Sequence, residues 1–276
     1  MKQLIMKWFD LLNLPEEWKE EIERASESFD PTPLDGMKEP YQYLNEGEDK
    51  MPCLLYSLYK CEDFYNTAKK RDIPDDILLA SLTELKRYAL EYNKITNGEK
   101  LGLKQINWLG KILRGNIYRL GRLEFEIRTT LHPFEEHGLN EGDNVIAVHI
   151  PDNGGPLTDE ARSEAYALSE KFFAKYFPEY EYKFYTCHSW LLDETLKNFL
   201  KPTSNIVKFM DEFIIKKSSV GKPHESYDAL TYLFIRGTTV DDVKSLKPET
   251  SLQKAVVDHI KNGGKLYSAF GIKARP

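Results

Sequence analysis

The 276-residue chain carries 38 Lys and Arg against 44 Asp and Glu, a formal net charge of −6, with 41% hydrophobic and 30% charged residues. Such a chain can bury a sizeable core in one large domain or two ordinary ones, and it is not a disordered polymer. The acidic balance and the lack of any Lys/Arg-rich block argue against nucleic acid as the main partner, and no apolar run approaches the roughly 18 residues of a membrane span.

Residues 2–13 and 15–27 read as two helices separated by Leu14-Pro15. Pro15 suits a first helical turn, and Glu16, Glu17, Glu20 and Glu21 favour the start of the second helix. Charges run through the first of them and no small-residue cleavage site follows, so it is a helix and not a signal peptide. Segment 28–50, with three prolines and two glycines, reads as loop. Leu54, Leu55, Leu58, Tyr59 and Phe64 recur at helical spacing within 51–71; Leu78, Leu79, Leu82, Leu85 and Leu90 do so in a helix opened by Pro74. A short helix over 104–113 completes an all-α region, residues 1–115.

The period then changes. Leu123, Phe125 and Ile127 alternate with Arg122, Glu124, Glu126 and Arg128, which predicts one half-solvated strand over 116–130. The next stretch organises the rest: strand 144–150, a Gly154-Gly155-Pro156 turn, a helix from N-cap Thr158, and a strand ending Cys187-His188-Ser189-Trp190. The first of these strands is apolar except for His149 near its end, as befits a central strand covered on both faces. Beyond it we expect a short helix at 192–200, a strand over 206–216 that can open with a short helical lead-in, a strand at 229–236, and a polar loop at 218–226. A helix with the Thr250-Ser251-Leu252-Gln253 capping box follows, then an edge strand at 266–272. The fold class is α+β: a helical N-terminal domain, 1–115, followed by a mixed sheet flanked by helices, 116–276.

No Walker A, GxGxxG, HExxH or GxSxG motif is present. The three cysteines are scattered without CxxC spacing, which removes a disulfide framework and the usual zinc-thiolate site and suits a reducing cytoplasm. His132, His137, Glu135 and Glu136 form the single local group with metal-ligand chemistry, and a solvated loop explains them as well. His149 at a strand end can act as a general base near neutral pH; a structural histidine bonded to the backbone is the other reading. Gly154 and Gly155 before a capped helix could hold an anion, although Asp159 and Glu160 oppose it. Cys187 could pair with His149 if their strands are neighbours on one face, and Ser189 could bond a ligand or the backbone. Glu124 and Glu126 could line a cleft.

The segments GDNVIAVHIPDNGGPLTDEARSEA, FYTCHSWLLDETLKNFLKPTSNIVKF and ETSLQKA resemble the C-terminal domain of bacterial GNAT-like acyltransferases. WLGKILRGNIYRLGRLEFEI resembles the junction with their helical N-terminal domain, so the resemblance covers most of the chain. It implies a GCN5-related N-acetyltransferase fold, in which acyl-CoA lies where the central strand splays from its neighbour. Carried over, Val148 and Ile150 would line pantetheine, while Gly154, Gly155, Leu157 and Thr158 would face phosphate. DNGGPLT stands where the family usually has Arg/Gln-x-x-Gly-x-Gly/Ala. The general-acid tyrosine often found in the helix after the fifth strand has no counterpart, since Tyr185 lies in the strand.

The resemblance implies an N-acyltransferase using acetyl-CoA or another acyl-CoA as co-substrate and an amine as acceptor. His149 would be the base, with Cys187 and Ser189 beside the thioester. The alternative is a degenerate scaffold that binds a small ligand or a protein, and a third reading is a hydrolase using Cys187 with His149. No resident cofactor, metal, nucleic acid or membrane is implied, and a homodimer is compatible with each reading.

Overall fold

In the computed structural model, residues 1–216 and 226–275 are described. The chain divides into two compact units, Met1–Arg119 and Leu120–Pro276.

The first unit is helical: α1 (Lys2–Leu11), α2 (Lys19–Glu27), α3 (Thr32–Asp35), α4 (Pro40–Glu46), α5 (Met51–Lys69), α6 (Asp75–Ile95) and α7 (Ile106–Leu113). Most of the apolar stripes expected of α5 and α6 is buried, with Leu54, Leu58, Leu78, Leu82 and Leu85 at 0–1% exposure, but Leu90 at the far end of the α6 stripe is exposed. Pro74 occupies the N-cap position of α6, and Asp75 and Asp76 sit in its first turn, where the helix dipole favours acids. Segment 28–50 is not merely loop. Pro33 and Pro40 each open a short helix, and α4 buries Tyr41 and Leu44. Elements of one or two turns hold too few apolar residues to display a period.

The sheet is mixed, of order β1-β2-β3-β4-β6-β5, with β1 at the boundary and the other five strands in the second unit. Its strands are β1 (Ile117–Leu120), β2 (Leu123–Thr129), β3 (Asn144–His149), β4 (Phe184–Ser189), β5 (Ile214–Lys216) and β6 (Ala269–Ala274). The helices are α8 (Asp159–Tyr176), α9 (Asn205–Met210), α10 (Tyr227–Leu233) and α11 (Ser251–Lys261). This is the α+β architecture expected, with four local differences. The single strand over 116–130 is a hairpin, turned at Gly121 with φ of 64°. The predicted strand at 229–236 is α10, because a short apolar run does not distinguish helix from strand. The last segment is no edge: β6 pairs with β4 on one side and β5 on the other. The short helix expected at 192–200 is two 3-10 turns, Trp190–Leu192 and Glu194–Asn198. The expected loop at 218–226 lies outside the described residues except for Ser226.

Local chemistry pins the elements around the central strands. Thr158 accepts from the Ala161 amide and caps α8, and Thr250 and Gln253 close both bonds of the capping box on α11. One sheet face packs on α8 through Phe125, Tyr166 and Tyr185, with ring centroids 5.1–5.9 Å apart and the Tyr185 hydroxyl 2.7 Å from Ser169 Oγ. The other face buries Val145, Phe270 and Ile272 against Phe134 and Leu139 of the β2–β3 connection.

Candidate active site

The ladder between β2 and β3 is continuous, from Thr129↔Asn144 to Glu124↔His149. That between β4 and β6 is also continuous, from Phe184↔Ala274 to Ser189↔Ala269. Between them the parallel pairing of β3 with β4 covers two positions, Ile146↔Tyr185 and Ala147↔Thr186. Past Ala147 and Thr186 the central strands continue, yet no further β3–β4 pair forms among the described residues. Each strand keeps its outer neighbour, so the sheet opens in its middle toward the C-terminal ends of the two parallel strands. Ligands of open sheets containing parallel strands gather at such ends.

The registers fix which side chains share a face. Ala147 pairs with Thr186, so His149 and His188 lie on one face, together with Glu124, Glu126 and Arg128 of β2. Val148, Cys187 and Ser189 lie on the α8 face. His149 is 25% exposed at the side chain, and its Nε2 lies 2.9 Å from Glu126 Oε2. An ionised carboxylate can only accept, so with Glu126 ionised Nε2 carries the hydrogen of this bond. Glu126 is only 4% exposed, with Arg128 Nη1 3.9 Å away, and Glu124, opposite His149, is 2% exposed. These acids were expected on a solvated face. They are covered, and Glu126 holds the imidazole of His149 by its Nε2.

The remaining sequence-predicted residues separate. Cys187 is on the opposite face from His149, so the two form no dyad. Burial pushes its thiol up to about 12, which leaves little thiolate at neutral pH. Ser189 Oγ accepts from the Leu191 amide at 3.1 Å and caps a short 3-10 turn at the end of β4. Val148 is buried and Ile150 half-buried at the end of β3. Gly154 is half-buried and Gly155 exposed, with φ of 75° at Gly155. Arg122, from the β1–β2 turn, donates to the carbonyls of Pro151 at 2.7 Å and Gly155 at 2.9 Å and so braces this loop. Leu157 is buried, its carbonyl accepting from Arg162 at 2.6 Å, and Thr158 is occupied as the cap of α8.

The acidic turn that opens α8 is not left uncompensated. Asp159 bonds Arg162 at 2.7 Å and Lys208 at 2.6 Å, and those two cations hold its carboxyl below the usual range. Arg162, 4% exposed, also reaches Glu212 at 2.5 Å, and Lys273 bonds the same carboxylate at 3.3 Å. The loop histidines do not converge. His132 stacks on His188 at 5.6 Å, and His137 meets the edge of Phe134 at 4.5 Å. Among the described residues no group of three or more His, Cys, Asp or Glu could hold a metal ion. The sequence marked Glu126 as a possible cleft residue and His188 as part of a strand end, but gave neither its partner. Alternation put Glu126 on the right face, but its partner depends on strand register.

Residues 117–273 match the family described as the GNAT-like C-terminal domain. Among curated proteins none matches the chain. An acyltransferase solved in complex with decanoyl-CoA and teicoplanin is 24% identical, with a TM-score of 0.77 over 99% of this chain and 88% of that one. An acyltransferase mutant in complex with octanoyl-CoA is 23% identical, with a TM-score of 0.78 over 98% and 87%. An acyltransferase with CoA and 10C-teicoplanin is 23% identical, with a TM-score of 0.76 over 99% and 88%.

Proposed function

The chain belongs to the family of the GNAT-like C-terminal domain, and from that premise we propose that it is an acyl-CoA-dependent N-acyltransferase. The observation that carries the reading is the opening between β3 and β4, with an oriented histidine on its rim. The pantetheine arm would enter between Val148–Ile150 and Cys187–Ser189 and bond to main-chain groups past the last paired residues. Gly154, Gly155, Leu157 and Thr158 form the loop and helix start that would meet the phosphates. The acidic turn counts less against this than the sequence suggested, because Asp159 is neutralised by Arg162 and Lys208.

In this reading the acceptor amine approaches from the face that bears His149. Its lone pair attacks the thioester carbonyl, His149 Nδ1 removes a proton from the attacking nitrogen, and the Glu126 carboxylate stabilises the imidazolium. The C–S bond then breaks and the CoA sulfur receives a proton. No covalent enzyme intermediate is needed, and the burial of Cys187 accords with direct transfer. Because solved neighbours hold octanoyl- and decanoyl-CoA, we take a medium-chain acyl-CoA as the donor to try first. Three free, buried cysteines accord with a reducing, cytoplasmic setting.

The test is release of CoA thiol from octanoyl-CoA in the presence of a panel of primary amines, with the N-acyl product identified by mass. Amine-dependent release that falls on the order of a hundredfold in His149→Gln supports the reading. Stoichiometric octanoyl-CoA binding with no acyl product would instead favour the non-catalytic scaffold.

A further inference from the structure

The opening has two histidines on it. His149 and His188 each stand two residues past the last β3–β4 pair, Ala147↔Thr186, on the same face and on opposite sides of the gap. Each is held by the ladder to its outer neighbour, at Glu124↔His149 and His188↔Phe270. Their surroundings differ. His149 is mostly covered and bonded to a buried carboxylate. His188 is exposed, and His132 stacks against it at 5.6 Å while itself resting on Phe270 at 5.3 Å.

Acyl transfer to an amine that arrives as an ammonium ion must dispose of two protons. The ammonium loses one before it has a lone pair to attack with. The nitrogen loses another once the C–N bond has formed. The C–S bond breaks with its electron pair on sulfur, the CoA thiolate takes up one proton, and the other leaves to solvent. A base with access to water is suited to the first proton, and a covered, oriented base to the second.

We propose that His188 is a second catalytic base, which takes the first proton from the incoming ammonium and passes it to water, while His149 takes the second and delivers it to the leaving sulfur. The proposal rests on the acyltransferase reading. The charged and titratable groups that face His188 come from three directions: His132 in the β2–β3 connection, Arg128 on β2 and Asp228 on α10. Lys216 of β5 stands opposite Phe270, its ammonium bonded to the Pro133 carbonyl. Partial burial of the ring, and then His132 beside it, keep His188 below the usual histidine range, against the pull of Asp228, so it is neutral and able to accept at neutral pH.

The experiment compares wild-type protein, His188→Gln, His188→Asn and His149→Gln, using octanoyl-CoA with two classes of nucleophile. Primary alkylamines arrive as ammonium ions at neutral pH, whereas aryl amines arrive unprotonated. For alkylamines both His188 variants should lose on the order of a hundredfold in kcat/KM at pH 7, a loss that shrinks as pH rises toward the amine's own pKa. For aryl amines the loss should stay within about threefold, while His149→Gln should lose with both classes. An active wild type whose His188 variants lose equally with both classes at every pH, or lose with neither, overturns the division of labour and leaves the acyltransferase reading intact. A wild type that releases no CoA with any amine overturns both.

Discussion

Replacing Glu126 tests whether His149 works as an oriented base. In the native site Glu126 Oε2 lies 2.9 Å from Nε2 and is covered to 4% exposure, so the bond operates away from bulk water. Glu126→Gln keeps the shape, but its amide can donate as well as accept, so the imidazole no longer has one preferred tautomer. A hydrogen bond to a charged group is worth about 1.5–3 kcal/mol, and each 1.36 kcal/mol is tenfold in rate, so kcat should fall roughly ten- to hundredfold. The KM for acyl-CoA should stay nearly unchanged, because Glu126 does not touch the donor in this account. His149→Gln should lose about 10²–10⁴ in kcat, and the double variant should be no worse than His149→Gln alone, as expected when one group acts through another. The assay is steady-state thiol release on protein whose melting temperature has been checked. A double variant that multiplies both losses would show that Glu126 acts independently of His149.

Three further outcomes follow from packing and charge. Arg162→Met removes a guanidinium, 4% exposed, that bonds Glu212, Asp159 and the Leu157 carbonyl. Breaking such a group costs about 3–5 kcal/mol, here at the low end because Lys208 and Lys273 remain, and calorimetry should record a fall of roughly 6–12 °C in Tm. All three cysteines are buried, with Cys53 pushed up to about 11 and Cys187 to about 12, so a thiol reagent at pH 7 should modify none in the native protein and three after denaturation. Rapid native labelling of Cys187 would contradict its placement. His188 has a depressed folded pKa, so the unfolded chain binds its proton first as pH falls below the ordinary value of about 6.5. The stability that neutral His188 permits is present above that pH and lost as pH falls through the lowered pKa. His188→Gln should therefore show a shallower loss of Tm on acidification than wild type, and parallel acid slopes would count against the assigned environment.

Much of the architecture is legible in local pattern. Long stripes such as Leu78, Leu82 and Leu85, the Thr158 cap and the Thr250–Gln253 box are local signals, and the structure places helices on all of them. Short elements and edges are less legible. Ala229–Leu233 looks the same as a strand or a turn and a half of helix, and β6 became interior because β5 lies beyond it. The site divides along the same line. His149 stands out as the polar residue of an apolar strand, but its partner Glu126 and its separation from Cys187 are consequences of register, which relates residues 23 and 38 positions apart in the chain. His188 is visible at the end of its strand, but its relation to His149 is hidden for the same reason. It becomes the counterpart of His149 only once Ala147 is aligned with Thr186.

The proposed reaction depends on acyl-CoA occupying the opening between β3 and β4. A crystal structure of the protein with octanoyl-CoA tests it most directly. Pantetheine should lie between Val148–Ile150 and Cys187–Ser189, bonded to main-chain groups past Ala147, with the thioester carbonyl on the His149 side. A closed β3–β4 ladder with the ligand bound elsewhere, or crystals that take up no octanoyl-CoA at saturating concentration, would contradict it.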